Sequence, residues 1–191
     1  MSRYRGPRTR LVKRLGSLPG YGRKFVQEQQ NKNKRKKKQS PFTIRLKEKQ
    51  KLRYNYGLTE KKLLQYVKIA RKQKISASAG ETLLRLLELR LDNIVFQLGF
   101  APTLPAARQL ITHGHVLLNG KKKDIPSYQC NINDLITLTQ KIQKQKVLRV
   151  SIPKFLNLDS QNLVGKIQQY PSRFGLVINE LIVIEYYSRN L

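Results

Sequence analysis

Residues 103–126, TLPAARQLITHGHVLLNGKKKDIP, bring together side chains able to hold an anion: Arg108, His113, His115, Lys121, Lys122 and Lys123. A guanidinium can bridge two phosphate oxygens with a planar fork, whereas a lysine acts as a compact point charge. Thr103, Gln109, Thr112 and Asn119 add neutral hydrogen-bonding groups as candidate RNA contacts, and Thr103 also stands where an N-cap would open a helix. Catalytic and metal readings of the same residues fail on numbers. His113-Gly114-His115 supplies two imidazoles with no cysteine or acidic cluster beside them, and zinc takes four ligands. Gly20-Tyr21-Gly22 lacks the third glycine and the strand context of a dinucleotide fingerprint. No metal, cofactor or small-molecule substrate is expected. The chemistry on offer is phosphate binding.

The rest of the chain points the same way. Its 191 residues carry 39 Lys+Arg against 11 Asp+Glu, a formal charge of +28. Self-repulsion of that size opposes a compact state unless a polyanion neutralises it. Nucleic acid is the favoured partner. No segment is apolar and long enough to span a bilayer, and the chain has no Trp to seat at an interface. Cys130, the lone cysteine, excludes an internal disulfide framework and reads as a buried, reduced thiol. The opening MSRYRGPRTRLVKRLG is Arg-rich and acid-poor like a transit peptide, but its arginines interleave with Tyr, Gly and Pro as in an RNA-contacting segment. Arg3, Tyr4, Arg5, Arg8, Arg10 and Arg14 are its candidate contacts, combining phosphate binding with stacking on a splayed base. NKNKRKKKQ, residues 31–39, has no apolar residue and reads as a flexible, phosphate-tracking arm.

The elements that must position these groups read as α+β. From 42 to 74 the pattern is helical, with Thr59 as an N-cap and Leu63, Tyr66, Val67 and Ala70 as a core stripe. Arg53, Tyr54, Lys61 and Arg71 lie on the polar side as further RNA candidates. Residues 81–98 read as one long buried helix, with Leu83, Leu84, Leu87, Leu91, Ile94, Val95 and Leu98 on a broad face and Gly99 closing it. A second helix buries Leu104, Ala107, Leu110 and Ile111 and ends at a left-handed Gly114. A strand at 115–118, an Asn119-Gly120 hairpin turn and a strand at 135–139 follow. Residues 141–155 extend the strand-like material, and NELIVIEYYS reads as a final strand packed on the body. The expected organisation is a basic N-terminal extension (1–41), a helical body (42–88), an inserted helix–helix–small antiparallel sheet RNA-binding module (89–152) and a C-terminal segment returning to the body (153–191).

RLDNIVFQLGFAPTLPAARQLITHGHVLLNG resembles the RNA-binding module first defined in small-subunit ribosomal protein four. RYRGPRTRLVKRLGSLPG, RLKEKQKLRYNYGLTEKKLLQYVKIAR and INELIVIEYYSR resemble the corresponding parts of that family, so the likeness covers nearly the whole chain. The resemblance implies a non-enzymatic constituent of the small ribosomal subunit. It implies binding to the 5′ domain of small-subunit rRNA, nucleation of the subunit body, contact with neighbouring proteins, especially protein five, and a part in translational accuracy. RYRGPR and EYYSR are closest to the plastid and cyanobacterial branch, and the chain opens at the first of these blocks. A plastid-encoded protein working in the chloroplast stroma is therefore expected, with a cyanobacterial cytoplasm as second choice. Some relatives carry a cysteine zinc knuckle near the N-terminus; no cysteine precedes Cys130 here.

Two other classes compete. Arg90-Leu91-Asp92 resembles the tripeptide that bears the catalytic aspartate in some pseudouridine synthases, which carry the same module. Here Asp92 falls inside the module's own helix, where capping or an ion pair is its ordinary role, and no separate domain remains for a uridine pocket. Arg90 then joins the RNA candidates. A free-standing RNA chaperone would match over the module alone, and the flanking blocks argue against it. A membrane-surface protein would gather its charge beside one anchor, not along the chain.

Overall fold

The structure, a computed structural model, describes residues 6–21, 40–73, 78–139, 152–159, 161–171 and 178–189. Its elements in chain order are α1 (Arg8–Leu15), α2 (Pro41–Asn55), α3 (Glu60–Lys72), α4 (Ala79–Glu88), α5 (Leu91–Gln97), α6 (Leu104–Thr112), β1 (Val116–Leu118), β2 (Lys121–Lys122), β3 (Leu135–Leu138), β4 (Leu156–Asp159), β5 (Val164–Ile167) and α7 (Glu180–Arg189). They form two compact units, Met1–Leu83 with Leu176–Leu191, and Leu84–Gly175. The class is α+β, as the sequence indicates. The arm at 31–39, most of the strand-like stretch 141–155, and Arg3, Tyr4 and Arg5 lie outside the described residues.

The first unit is helical. Ser40 caps α2 by accepting from Thr43 N at 3.3 Å, with Pro41 supplying a first-turn residue that has no amide to satisfy. Thr59 caps α3 through Lys62 N at 3.4 Å, and Glu60 adds a carboxylate to its positive end. The expected stripe of Leu63, Tyr66, Val67 and Ala70 is buried. Within the stretch read as a basic extension, α1 buries Leu15, and Gly20 N donates to Asn55 Oδ1 of α2 at 3.0 Å.

The final segment is a helix, not the strand that its run of β-branched residues suggests. Asn179 caps α7 by accepting from Ile182 N at 3.4 Å. Val183 and Tyr187, four apart, are then buried against α2 and α3. Packing at helical spacing outweighs the strand preference of Ile182, Val183 and Ile184.

The boundary between the units falls within α4. The long helix expected at 81–98 is broken after Glu88, because Leu89 and Arg90 pair with a later segment instead. Cys130 N donates to Leu89 O at 2.9 Å, Leu91 N to Tyr128 O at 2.9 Å, and Asp92 N to Pro126 O at 3.1 Å. Every apolar residue assigned to its buried face is buried all the same. In the α6 stripe Leu104, Ala107 and Ile111 are buried, while Leu110 is only half-buried.

The sheet is antiparallel, in the order β2-β1-β3-β5-β4. Asn119 (φ 50) and Gly120 (φ 77) occupy the two left-handed positions of the β1–β2 turn. Val116, Leu118, Ile136, Leu138 and Ile167 form its buried side, and Leu98 lies so close over Gly165 that a methyl there would overlap its Cδ1. Strands β4 and β5 come from the segment expected to return to the body. There β5 pairs with β3 and β4 with β5, extending the module's sheet, and α7 is the element of that segment that belongs to the first unit.

Candidate nucleic-acid interface

The candidate residues of the opening stretch are positioned by two tight turns. Thr103 accepts from Ala106 N at 3.3 Å and starts α6, the N-cap role its sequence position suggests. At the other end Gly114 (φ 72) donates to Ile111 O at 2.8 Å, and His115 N donates to Leu110 O at 3.0 Å. This bond pair is a Schellman closure, and it satisfies carbonyls that the helix end leaves open. The chain passes directly into β1, turns at Asn119-Gly120, and returns along β2 with Lys122 opposite Leu117.

The return brings Lys122 back over the helix end. Its stem crosses Gly114 so closely that a methyl there would overlap Cε. His113 and His115 flank the same glycine with ring centroids 6.2 Å apart, edge to face. Lys122, His113 and His115 are thus gathered around one backbone turn, and exposed Gln109 and Thr112 lie on the helix leading into it. The Thr112 hydroxyl donates back to Arg108 O and Gln109 O at 3.0 and 3.1 Å, so towards a ligand it offers acceptor lone pairs. Lys123 is directed differently, its Nζ 4.0 Å from the Tyr128 ring centroid, where the cation–π attraction holds it. Lys121 is exposed at the hairpin.

Three expected contacts have internal work. Arg90 is buried, its side chain 4 % exposed, and donates from Nε to Asp92 Oδ1 at 3.0 Å and from Nη2 to Asp92 Oδ2 at 2.7 Å. Burial removes it from any RNA-facing surface, and this corrects its assignment as a contact. Arg108 has a 14 % exposed side chain and gives its Nε to Asp92 Oδ2 at 2.7 Å, so its fork does not stand open as a free surface guanidinium would. Asn119 spends its amide on the fold: Oδ1 accepts from Leu135 N and Nδ2 donates to Asp134 Oδ1, both at 2.8 Å. Its part is to fix the hairpin tip that carries Lys121.

The other candidates belong to the first unit and form a separate group. Arg10 and Arg14 are exposed on α1, and Arg8 lies 5.5 Å from the Tyr21 ring. Lys61 is exposed on α3. Arg53 stacks 4.8 Å from the Tyr54 ring, donates to its hydroxyl at 3.2 Å and pairs with Glu60 at 3.4 Å. Arg71 donates to Ile184 O of α7 at 3.0 Å. Glu60 is the hub here, accepting from Lys49 Nζ at 2.9 Å and from the Tyr187 hydroxyl at 2.7 Å. Burial pushes its carboxyl up, but the bonds from Lys49, Tyr187 and Arg53 together hold it below the ordinary value.

Sequence reasoning gave Tyr128 and Asp134 no role. Neither follows a periodic pattern: Tyr128 lies five residues beyond Lys123, and Asp134 meets Asn119 only through the β1–β3 pairing. Burial pushes the Cys130 thiol up to about 12, with Asp134 and Asp92 adding to the effect, so it is a protonated core group. Among the described residues no group of three or more His, Cys, Asp or Glu could hold a metal, and no helix is long and apolar enough to cross a membrane.

Known proteins match the sequence of this chain from end to end. Residues 89–136 match the S4 domain, and residues 3–88 match the ribosomal protein S4/S9 N-terminal domain. Small ribosomal subunit protein uS4c of Guillardia theta is 47 % identical over 200 residues, covering 99 % of both chains. Protein uS4 of Nostoc punctiforme is 49 % identical over 206 residues, covering 99 % of both, and uS4c of Marchantia polymorpha is 48 % identical over 204 residues, covering 100 % of both. The match to the module and to the helical unit, together with identity near one half from end to end, shows that the chain belongs to the small-subunit ribosomal protein S4 (uS4) family.

Proposed function

We propose that this chain is a structural, non-enzymatic constituent of the chloroplast small ribosomal subunit that binds its rRNA directly. In this reading it recognises a helix junction in the 5′ domain, nucleates assembly of the subunit body and contributes to translational accuracy. The observation that carries the RNA reading is the gathering of Lys122, His113 and His115 around Gly114, at the end of a helix whose neighbouring residues Gln109 and Thr112 are exposed. Polar groups on a tightly closed turn are fixed before the ligand arrives, so little freedom is lost on binding. Lys121, Lys123 and the enclosed Arg108 extend this surface. Arg10, Arg14, Lys61, Arg71 and the Arg53–Tyr54 stack supply a second set of contacts, and Arg3, Tyr4 and Arg5 belong with them. Recognition is mostly of shape and phosphate charge.

A neighbouring small-subunit protein, the fifth, fits a different surface of the first unit. Phe42, Ile44 and Leu181 are exposed, and Ile44 and Leu181 line a groove with Glu180, Glu48 and Lys51, the last two paired at 2.8 Å. Exposed apolar side chains beside the Glu180 carboxylate suit a protein with apolar and basic groups better than a phosphate backbone.

The test is binding to a 5′-domain rRNA fragment and to a plain duplex of matched length across a salt series. The reading requires the junction RNA to keep its advantage as salt rises. Equal binding that collapses with salt would reduce the chain to a non-specific polycation. Leu181→Glu should weaken binding to protein five and leave rRNA binding intact; loss of both, or of neither, removes the protein-docking assignment.

A further inference from the structure

The structure assigns to Asp92 the part of a positioning residue for RNA recognition, one that acts through Arg108 without touching RNA; this rests on the rRNA-binding reading above. Its side chain is 1 % exposed, so no phosphate or base reaches it. Its carboxylate is shared between two guanidiniums. Oδ2 accepts from Arg90 Nη2 and from Arg108 Nε, each at 2.7 Å, and Oδ1 accepts from Arg90 Nε at 3.0 Å. Arg90 is enclosed with it, and Arg108 reaches from there to the surface, at 14 % exposure.

The carboxylate sits where three pieces of the module meet. Asp92 belongs to the first turn of α5. Arg108 lies on α6, one turn before the exposed Thr112 and His113. The Asp92 amide donates to Pro126 O, and that of Leu91 to Tyr128 O, in the segment that follows Lys123 and carries the ring on which Lys123 rests. Asp92 therefore links the two pieces, its carboxylate holding Arg108 of the helix that bears Gln109 and Thr112 and its backbone amide holding the chain that continues from the lysine hairpin. An acid in a surface that must hold RNA is unfavourable in Coulomb terms. Its burial between two arginines turns it instead into a geometric anchor for a cation. Isolated buried charges are costly, so the pairing directions are strongly enforced.

Electrostatics and positioning predict opposite outcomes when the acid is neutralised. Asp92→Asn keeps the shape and raises the net charge by one. If charge alone mattered, affinity for junction RNA and plain duplex would both rise. Positioning predicts that the ratio of junction to duplex affinity falls by about tenfold, about 1.4 kcal/mol, with the salt slope on junction RNA unchanged because no lysine is lost. Arg108→Lys is the second variant. It keeps the charge but lacks the Nε–H that meets Asp92 Oδ2, and it should lower the same ratio by a similar factor; an unchanged ratio refutes the link even if Asp92→Asn does not fold. In the double variant Asp92→Asn/Arg108→Lys the loss should not exceed the larger single loss, because both changes cut one link.

An unchanged ratio in Arg108→Lys, or losses that add in full in the double variant, overturns the assignment. A wild-type protein that shows no junction preference overturns the rRNA reading itself, which separates the two failures.

Discussion

The lysine hairpin makes the most quantitative claim. Lys121 is exposed, Lys122 crosses Gly114 beside the two histidines, and Lys123 rests on Tyr128. Replacing all three by Gln should remove phosphate contacts without disturbing the fold, since none of the three is a core residue. Each phosphate neutralised contributes roughly 0.7–0.9 to the slope of log affinity against log salt, the single-strand and B-DNA values being taken as the guide for RNA. Three contacts then amount to about 2.1–2.7 in slope. Between about 50 and 200 mM salt this difference compounds to a factor of roughly 20–40, by which the wild type loses more affinity than the variant. Filter binding or fluorescence anisotropy with the 5′-domain fragment at four or five salt concentrations reads the slope directly. The orientation of Lys123 over Tyr128 adds a finer expectation, that Lys123→Gln alone changes the slope least. A triple variant with the wild-type slope would show that the hairpin faces away from the RNA, and the assignment of the α6–β2 surface would fall.

Other perturbations test the frame beneath that surface. Gly114→Ala forces a Cβ into a left-handed residue and against the stem of Lys122; it should cost about 1–2 kcal/mol, which calorimetry would register as a lower Tm, and an unchanged Tm would refute the close crossing. Gly165→Ala meets fully buried Leu98 and should destabilise by about 1–3 kcal/mol through overpacking, read by urea unfolding. Glu60→Gln tests the hub at Lys49 and Tyr187. The carboxyl is held below its ordinary value in the folded state, so its stabilisation is present above about pH 4.5 and fades as pH falls through the depressed value. The variant should have a lower Tm than wild type at pH 7, and the gap should narrow as pH falls below about 4.5; a gap that does not narrow on acidification contradicts the mechanism. Cys130, buried with its thiol pushed up to about 12, should resist iodoacetamide at pH 8 in the native protein and react on unfolding.

What the sequence revealed follows how local each signal is. The N-caps Thr59 and Thr103, the stripe from Leu63 to Ala70, the Gly114 closure and the Asn119-Gly120 turn are set within a few residues, and each forms where the local pattern indicates. The break after Glu88 is not local. Apolar spacing runs through it without a Gly or Pro, and only the pairing of residues 89–92 with 126–130 creates it. Helix α7 was obscured by Leu181, Ile182, Val183 and Ile184, whose side chains suit a strand equally well; the Asn179-Glu180 pair was the legible cue to a helix start. The candidate site divides in the same manner. Clustered lysines and histidines can be read off the chain, but the enclosure of Arg90 and Arg108 cannot, because Asp92, sixteen residues before Arg108, meets it only in the folded module.

The division into two units also sets an order of construction during synthesis. Elements α5 and α6 and the five strands come from one continuous stretch, whereas the first unit is assembled from α1, α2 and α3 and, after a long interval, α7. Roughly a hundred residues separate α3 from α7, which at about 5–20 residues per second is a delay of about 5–20 s. During that interval Glu60 lacks Tyr187, Lys49 lacks the ring of Tyr186, and Arg71 lacks the α7 carbonyl it will bind. The helical unit therefore stays open for as long as the second unit is being synthesised, and α7 closes it as a latch.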